Sequence, residues 1–118
     1  MGLEFDLADE AIDDRTQVVA VSGDIDLYSA PELRERLDDL IASGKTRILV
    51  DLGGASFIDS TTLGVLVGAI KRLRVHDGKL TLACADPSIL RVFTITGLDQ
   101  VIGVFPTRDA GLAALRAG

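Results

Sequence analysis

The chain has 118 residues, 47% hydrophobic, 25% charged and 4% aromatic, with one Cys and no Trp. This is globular composition, and the length predicts a single domain over residues 1–118 with a core of Val, Ile, Leu and Ala. A formal net charge of −6 argues against direct nucleic-acid binding, and one Cys excludes a disulfide framework and a Cys-based zinc site. No apolar run approaches the ~18 residues of a membrane span, and the segment Met1 to Asp6 lacks a basic leader. A cytoplasmic chain with no membrane partner is therefore expected. The charge is lopsided: residues 1–40 carry 12 acids and 3 bases, residues 41–118 carry 6 acids and 9 bases. That asymmetry reads either as a solvated acidic loop (Asp9, Glu10, Asp13, Asp14) or as a surface that steers a basic partner.

Leu3, Phe5 and Leu7 alternate with polar neighbours, which predicts a half-exposed strand, followed by a polar loop over residues 8–15. Val18 to Val21 is a continuous run, as in a strand covered on both faces. Gly23 to Tyr28 reads as a connection. Ser29 and Glu32 have capping-box spacing, Pro31 suits a first helical turn, and Leu33, Leu37, Leu40 and Ile41 form one apolar stripe that Gly44 ends. A third strand is expected over Thr46–Leu52, broken by Gly53-Gly54. Asp59, Ser60, Thr61 and Thr62 are consecutive N-cap candidates for a helix over Leu63–Val75 that ends at Asp77-Gly78. Leu80–Cys84 is a fourth strand. Asp86-Pro87 opens a helix that Gly97 closes, Val101–Phe105 is a fifth strand, and Thr107 caps a last helix. The order β-β-α-β-α-β-α-β-α implies an α/β fold with a mixed, mostly parallel sheet, its N-terminal strand antiparallel at one edge.

Three enzyme-like motifs fail. Ser43-Gly44-Lys45-Thr46 contains the tail of a P-loop, but position 39 is Asp rather than Gly, and the glycine ends a helix instead of opening one. Ser60, Asp59 and His76 are the residue types of a hydrolytic triad. His76 lies 16 residues beyond Ser60 along one predicted helix, roughly 24 Å away. Asp24-x-Asp26 lacks the remaining ligands of an EF-hand, so no metal site is expected. Cys84 ends an apolar strand and reads as a core residue. No catalytic residue or cofactor is assigned. An enzyme that binds or hydrolyses a nucleotide is the least favoured reading.

Phe57-Ile58-Asp59-Ser60-Thr61-Thr62-Leu63-Gly64 puts hydroxyls at a helix mouth, where free N–H groups and the dipole make either a capped end or an anion site. This segment resembles the F-[ILM]-D-S-[ST]-G-L-G element of STAS domains. Gly23-Asp24-Ile25-Asp26-Leu27-Tyr28-Ser29-Ala30-Pro31 resembles their G-E-[IL]-D-x-x-[ST]-[AP] element, and Phe93-Thr94-Ile95-Thr96-Gly97-Leu98 a later F-x-[IL]-[ST]-G-L element. Among STAS proteins the chain is similar to the bacterial anti-anti-sigma factors, or anti-sigma factor antagonists. The resemblance implies a binding module that takes up an anti-sigma factor serine kinase and frees a sigma factor. It implies phosphorylation at Ser60, which ends the binding, and a PP2C-type phosphatase that restores it. The implied partner surface comprises Asp24, Asp26, Tyr28, Ser29, Asp59, Ser60, Thr61, Thr62 and Gly64. Thr62 departs from the pattern, which has Gly there, and is expected to put a bulky side chain beside Ser60. A STAS adaptor that works without phosphorylation is the alternative.

Overall fold

The computed structural model describes residues 4–117. One sheet of five strands runs in the order β1 (Asp6–Ala11), β2 (Thr16–Ile25), β3 (Arg47–Ile58), β4 (Lys79–Ala83) and β5 (Gly103–Phe105). β1 pairs antiparallel with β2 at one edge, and the other neighbouring pairs are parallel, as the alternation of elements implies. Helices α1 (Ala30–Ala42), α2 (Ser60–Arg74) and α3 (Pro87–Thr96) connect the parallel strands and α4 (Arg108–Ala117) ends the described chain. Leu33, Leu37, Leu66, Leu73, Ile89 and Phe93 from the first three helices meet Val19, Val50 and Leu82 on one sheet face. Leu112 and Leu115 of α4 meet Val18, Leu49 and Ala83 on the other. β2, β3 and β4 are thus covered from both sides, which is why their sequences read as unbroken apolar runs.

Besides shifts of one or two residues and an α2 that starts at Ser60 rather than Leu63, four boundaries differ from the sequence reading. β1 lies further along than the alternation suggested: Leu3 falls outside the described residues, and Asp9 and Glu10 belong to the strand. Both carboxylates are paired, Asp9 with Arg36 of α1 at 2.6 Å and Glu10 with Arg108 of α4 at 3.3 Å, so an edge strand tolerates them. β5 is shorter than expected, because Leu98–Gln100 forms a 3-10 turn that precedes it. Gly23 belongs to β2 and not to a connection.

The fourth difference shapes the site. β3 does not stop at Gly53-Gly54 but continues to Ile58. Its pairing with β2 steps from Ala20↔Asp51 to Ser22↔Gly54, and from Gly23↔Ala55 to Asp24↔Phe57, so β3 spends two extra residues as bulges. Gly54 permits a close approach: a Cβ there would meet the Ser22 Cβ at 3.0 Å and the Val21 carbonyl oxygen at 3.4 Å. The bulges end by setting Ile25 opposite Ile58, both buried. Gly54→Val is expected to cost about 1–3 kcal/mol through this overpacking, read as a lowered urea midpoint with an unchanged slope.

Candidate functional site

Because β2 and β3 end side by side, the segments after them emerge together. Asp59 is the N-cap of α2, with extended backbone, and its Oδ1 accepts from the amides of Thr61 at 3.0 Å and Thr62 at 3.2 Å. Ser60 is the first helical residue and is exposed. Thr61 is half-buried. The helix mouth is therefore not an open anion site, because the Asp59 carboxylate already takes two of its donors. Lys71, Arg72 and Arg74 complement the opposite end of the helix.

Thr62 departs from the expectation. It does not stand beside Ser60 at the surface: it is 0% exposed, and its hydroxyl donates to the Ile25 carbonyl at 3.0 Å. The turn from β2 into α1 is built from Asp26 and Ser29. The Asp26 Oδ1 accepts from the Tyr28 amide at 2.9 Å and the Ser29 amide at 3.1 Å. The Ser29 hydroxyl accepts from the Asp26 amide at 2.8 Å and lies 3.0 Å from the Asp24 carbonyl oxygen. Ser29 is the residue before α1, but its side chain makes no bond to the helix, so no capping box forms: turning the Asp26–Ser29 loop uses the hydroxyl instead.

This geometry leaves Tyr28 89%, Leu27 61% and Phe57 50% exposed at the sheet end from which Ser60 also emerges. Leu27 and Phe57 do not stand out in the sequence, since apolar residues in apolar motifs read as core. A signal exists for Phe57, because Ile58 faces inward and its strand neighbour must face out. Gly64 is exposed, one turn along α2, with open space where a Cβ would stand. Asp24 is half-buried and pairs in register with Phe57. His76 lies exposed beyond the far end of α2, well away from Ser60. Cys84 is buried, and burial raises its thiol above the usual 9.0, so it is a poor nucleophile. Among the described residues no three His, Cys, Asp or Glu side chains are placed to hold a metal, and no helix is long and apolar enough to cross a membrane.

Residues 9–111 match the model of the STAS domain. The chain belongs to the STAS domain family. Among curated relatives it is similar to the anti-sigma-B factor antagonist of Bacillus subtilis (strain 168), with 38% identity over 94 residues, 80% of this chain and 85% of the relative. Among solved structures it is similar to an anti-sigma factor antagonist from Mycobacterium paratuberculosis, with a TM-score of 0.87 and 29% identity over 96% of this chain and 95% of that one. Phosphorylated SpoIIAA of Bacillus shares the fold, with a TM-score of 0.71 and 24% identity over 94% of this chain and 98% of that one. The five-stranded mixed sheet with four helices is thus the STAS architecture, and the Ser60 turn and the Asp26–Ser29 loop lie together at one end of it.

The loop of this STAS domain is pH-sensitive by construction. Amide hydrogen bonds, from Tyr28 first and then Ser29, hold the Asp26 carboxyl below its usual 3.8. With the folded value below the unfolded one, its stabilising contribution is complete above the ordinary carboxylate range and is lost as pH falls through the lowered value. In an NMR titration the Tyr28 and Ser29 amide shifts should follow the Asp26 carboxyl with a shared midpoint below 3.8.

Proposed function

We propose that this chain is an anti-sigma factor antagonist that works by partner switching. Its unphosphorylated form binds an anti-sigma factor serine kinase and thereby frees a sigma factor, and phosphorylation of Ser60 ends the binding. A PP2C-type phosphatase returns the phosphorylated form to use. The chain acts as one STAS unit that is substrate and ligand rather than enzyme. The observation that carries the reading is an exposed Ser60 on the first turn of α2, at the same sheet end as the exposed Leu27, Tyr28 and Phe57. The names of the relatives, anti-sigma-B factor antagonist and anti-sigma factor antagonist, support it.

The three adjacent hydroxyls are not equivalent. Thr62 is buried and committed to Ile25, Thr61 is half-buried, and Ser60 alone is exposed. In the transfer, the Ser60 oxygen bonds to the γ-phosphorus of ATP, the bond to ADP breaks, and the hydroxyl proton passes to a base of the kinase. The product carries about −1.5 to −2 charges next to Asp59, whose Oδ1 already holds the Thr61 and Thr62 amides. Charge and bulk arrive at the end of the sheet that displays Leu27, Tyr28 and Phe57, and each ~1.4 kcal/mol lost from binding is tenfold in affinity.

Incubation with the cognate kinase and ATP should add one phosphate, found on Ser60 by phosphopeptide mapping. Ser60→Ala should bind the kinase and resist release, and Ser60→Asp should stay folded and bind poorly. Modification of Thr61 instead would refute the assignment. A kinase that binds but transfers no phosphate would favour the phosphorylation-independent adaptor.

Tyr28→Ala is expected to weaken kinase binding about tenfold or more, as for a central aromatic anchor, whereas Arg116→Glu on α4 should leave it unchanged. Calorimetry on both variants separates the two faces. Gly64→Ala should raise stability by about 0.5–1 kcal/mol, since its Cβ meets nothing within 4 Å. Any loss of affinity in that variant therefore reports contact rather than folding.

A further inference from the structure

We infer that Thr62 is a positioning residue, whose buried hydroxyl locks the Leu27–Tyr28 loop to the Ser60 turn through one peptide group. That group joins Ile25 to Asp26. Its carbonyl accepts from the Thr62 hydroxyl at 3.0 Å, and its N–H donates to the Ser29 hydroxyl at 2.8 Å. One peptide plane is therefore held on one side by the helix that carries Ser60 and on the other by the loop that displays Tyr28. The Thr62 hydroxyl has a single proton, and Ile25 is its nearer acceptor, since the Asp59 Oδ1 lies 3.4 Å away.

The loop needs such a lock because it has no apolar anchor of its own. Ile25 and Ala30 are fully buried, but nothing between them is: Leu27 and Tyr28 point to solvent, and Asp26 and Ser29 are half-buried. Its shape rests on the hydrogen bonds of Asp26, Ser29 and Thr62. Thr62 is 0% exposed, so water does not stand ready to replace its hydroxyl at the Ile25 carbonyl. Any displacement of the first turn of α2, including one made by a phosphate on Ser60, is transmitted to the same peptide plane. The loop and the modified residue are thereby one mechanical unit, although Thr62 itself touches no partner.

The inference as it bears on binding rests on the proposed interface, but the positioning role is testable on the chain alone. Hydrogen exchange by NMR on Thr62→Val, which keeps the volume and deletes the hydroxyl, should show the Asp26, Tyr28 and Ser29 amides exchanging roughly threefold to tenfold faster. Amides of β3 such as Val50 should change less than the loop amides. Thr62→Ser should restore loop rates to within about twofold of the parent. Ser29→Ala opens the same peptide from the other side, and should release the same amides even if Thr62→Val folds poorly. Unchanged loop rates in Thr62→Val and Ser29→Ala, a uniform rise across the fold, or a Thr62→Ser variant as loose as Thr62→Val would each overturn the role. If the loop loosens as expected while Tyr28→Ala binds the anti-sigma kinase normally, the positioning role is upheld and the proposed interface is the part that fails.

Discussion

The parallel pairing that brings Ile25 level with Ile58 decides where two otherwise distant segments leave the sheet. Both side chains are buried, so neither strand can slip by one residue without exposing its apolar set. β3 reaches this register only by spending two bulged residues, and Gly54 makes room for β2 at the first of them. Bulges re-aim the chain beyond them, and beyond these lies the Asp59 cap with Ser60. The Asp26–Ser29 turn on one side and the first turn of α2 on the other are then joined through the Ile25–Asp26 peptide. Pairing, cap and loop form a single construction.

In the proposed switch, the Asp59 carboxylate sets how the helix end receives a phosphate. A helix mouth attracts an anion by ~0.3–2 kcal/mol, and an empty one would welcome a phosphate. This mouth already holds a carboxylate, which accepts from the Thr61 and Thr62 amides. A phosphate on Ser60 gains what remains of the dipole and meets a like charge, worth on the order of 1–3 kcal/mol at such range near a surface. The two terms are of similar size, so the folded chain tolerates the modification without being reorganised by it. In the proposed complex the larger penalty would fall on binding, where the same charge would be desolvated against the apolar Leu27, Tyr28 and Phe57. Release by that route would need no change of fold.

Much of the architecture was legible in the amino-acid order. The apolar runs at Val18 and Ile48, the stripe of α1, the Asp86 cap and the antiparallel edge all stand where periodicity and cap chemistry put them, and of the four cap candidates for α2 the structure uses Asp59. The features that escaped have specific causes. On the face covered by α1, α2 and α3, the buried positions of β3 run 48, 50 and 52, then 55 and 58, and that change of step at the bulges defeats a search for period two. Gly53-Gly54 marks a bulge as readily as a break, and only the partner strand decides between them. Ser29 has the spacing of a capping box, but the amide of Asp26 and the carbonyl of Asp24 compete for its hydroxyl and win. Thr62 looked like a surface departure from the resembling motif, because its acceptor, the Ile25 carbonyl, is 37 residues away in sequence.

Eight of the twelve acids in the first 40 residues separate into two populations. Asp9, Glu10 and Asp38 are paired with Arg36, Arg108 and Arg72, while Asp13 and Asp26 bind backbone amides that pull both carboxyls below their usual range. All five hold the structure, and Asp9, Glu10 and Asp38 are offset by their arginine partners. Glu32, Glu35 and Asp39 remain on the exposed side of α1, which begins where the Asp26–Ser29 loop ends. Unpaired rim charge of that kind acts over a Debye length of about 8–10 Å and governs how fast a partner arrives. In the proposed complex the exposed Leu27, Tyr28 and Phe57 would govern how long it stays, because their contribution is realised only when water is excluded. A phosphate on Ser60 would then act on dissociation. The acids of α1 would act on approach, so the proposed release and capture fall to different residues.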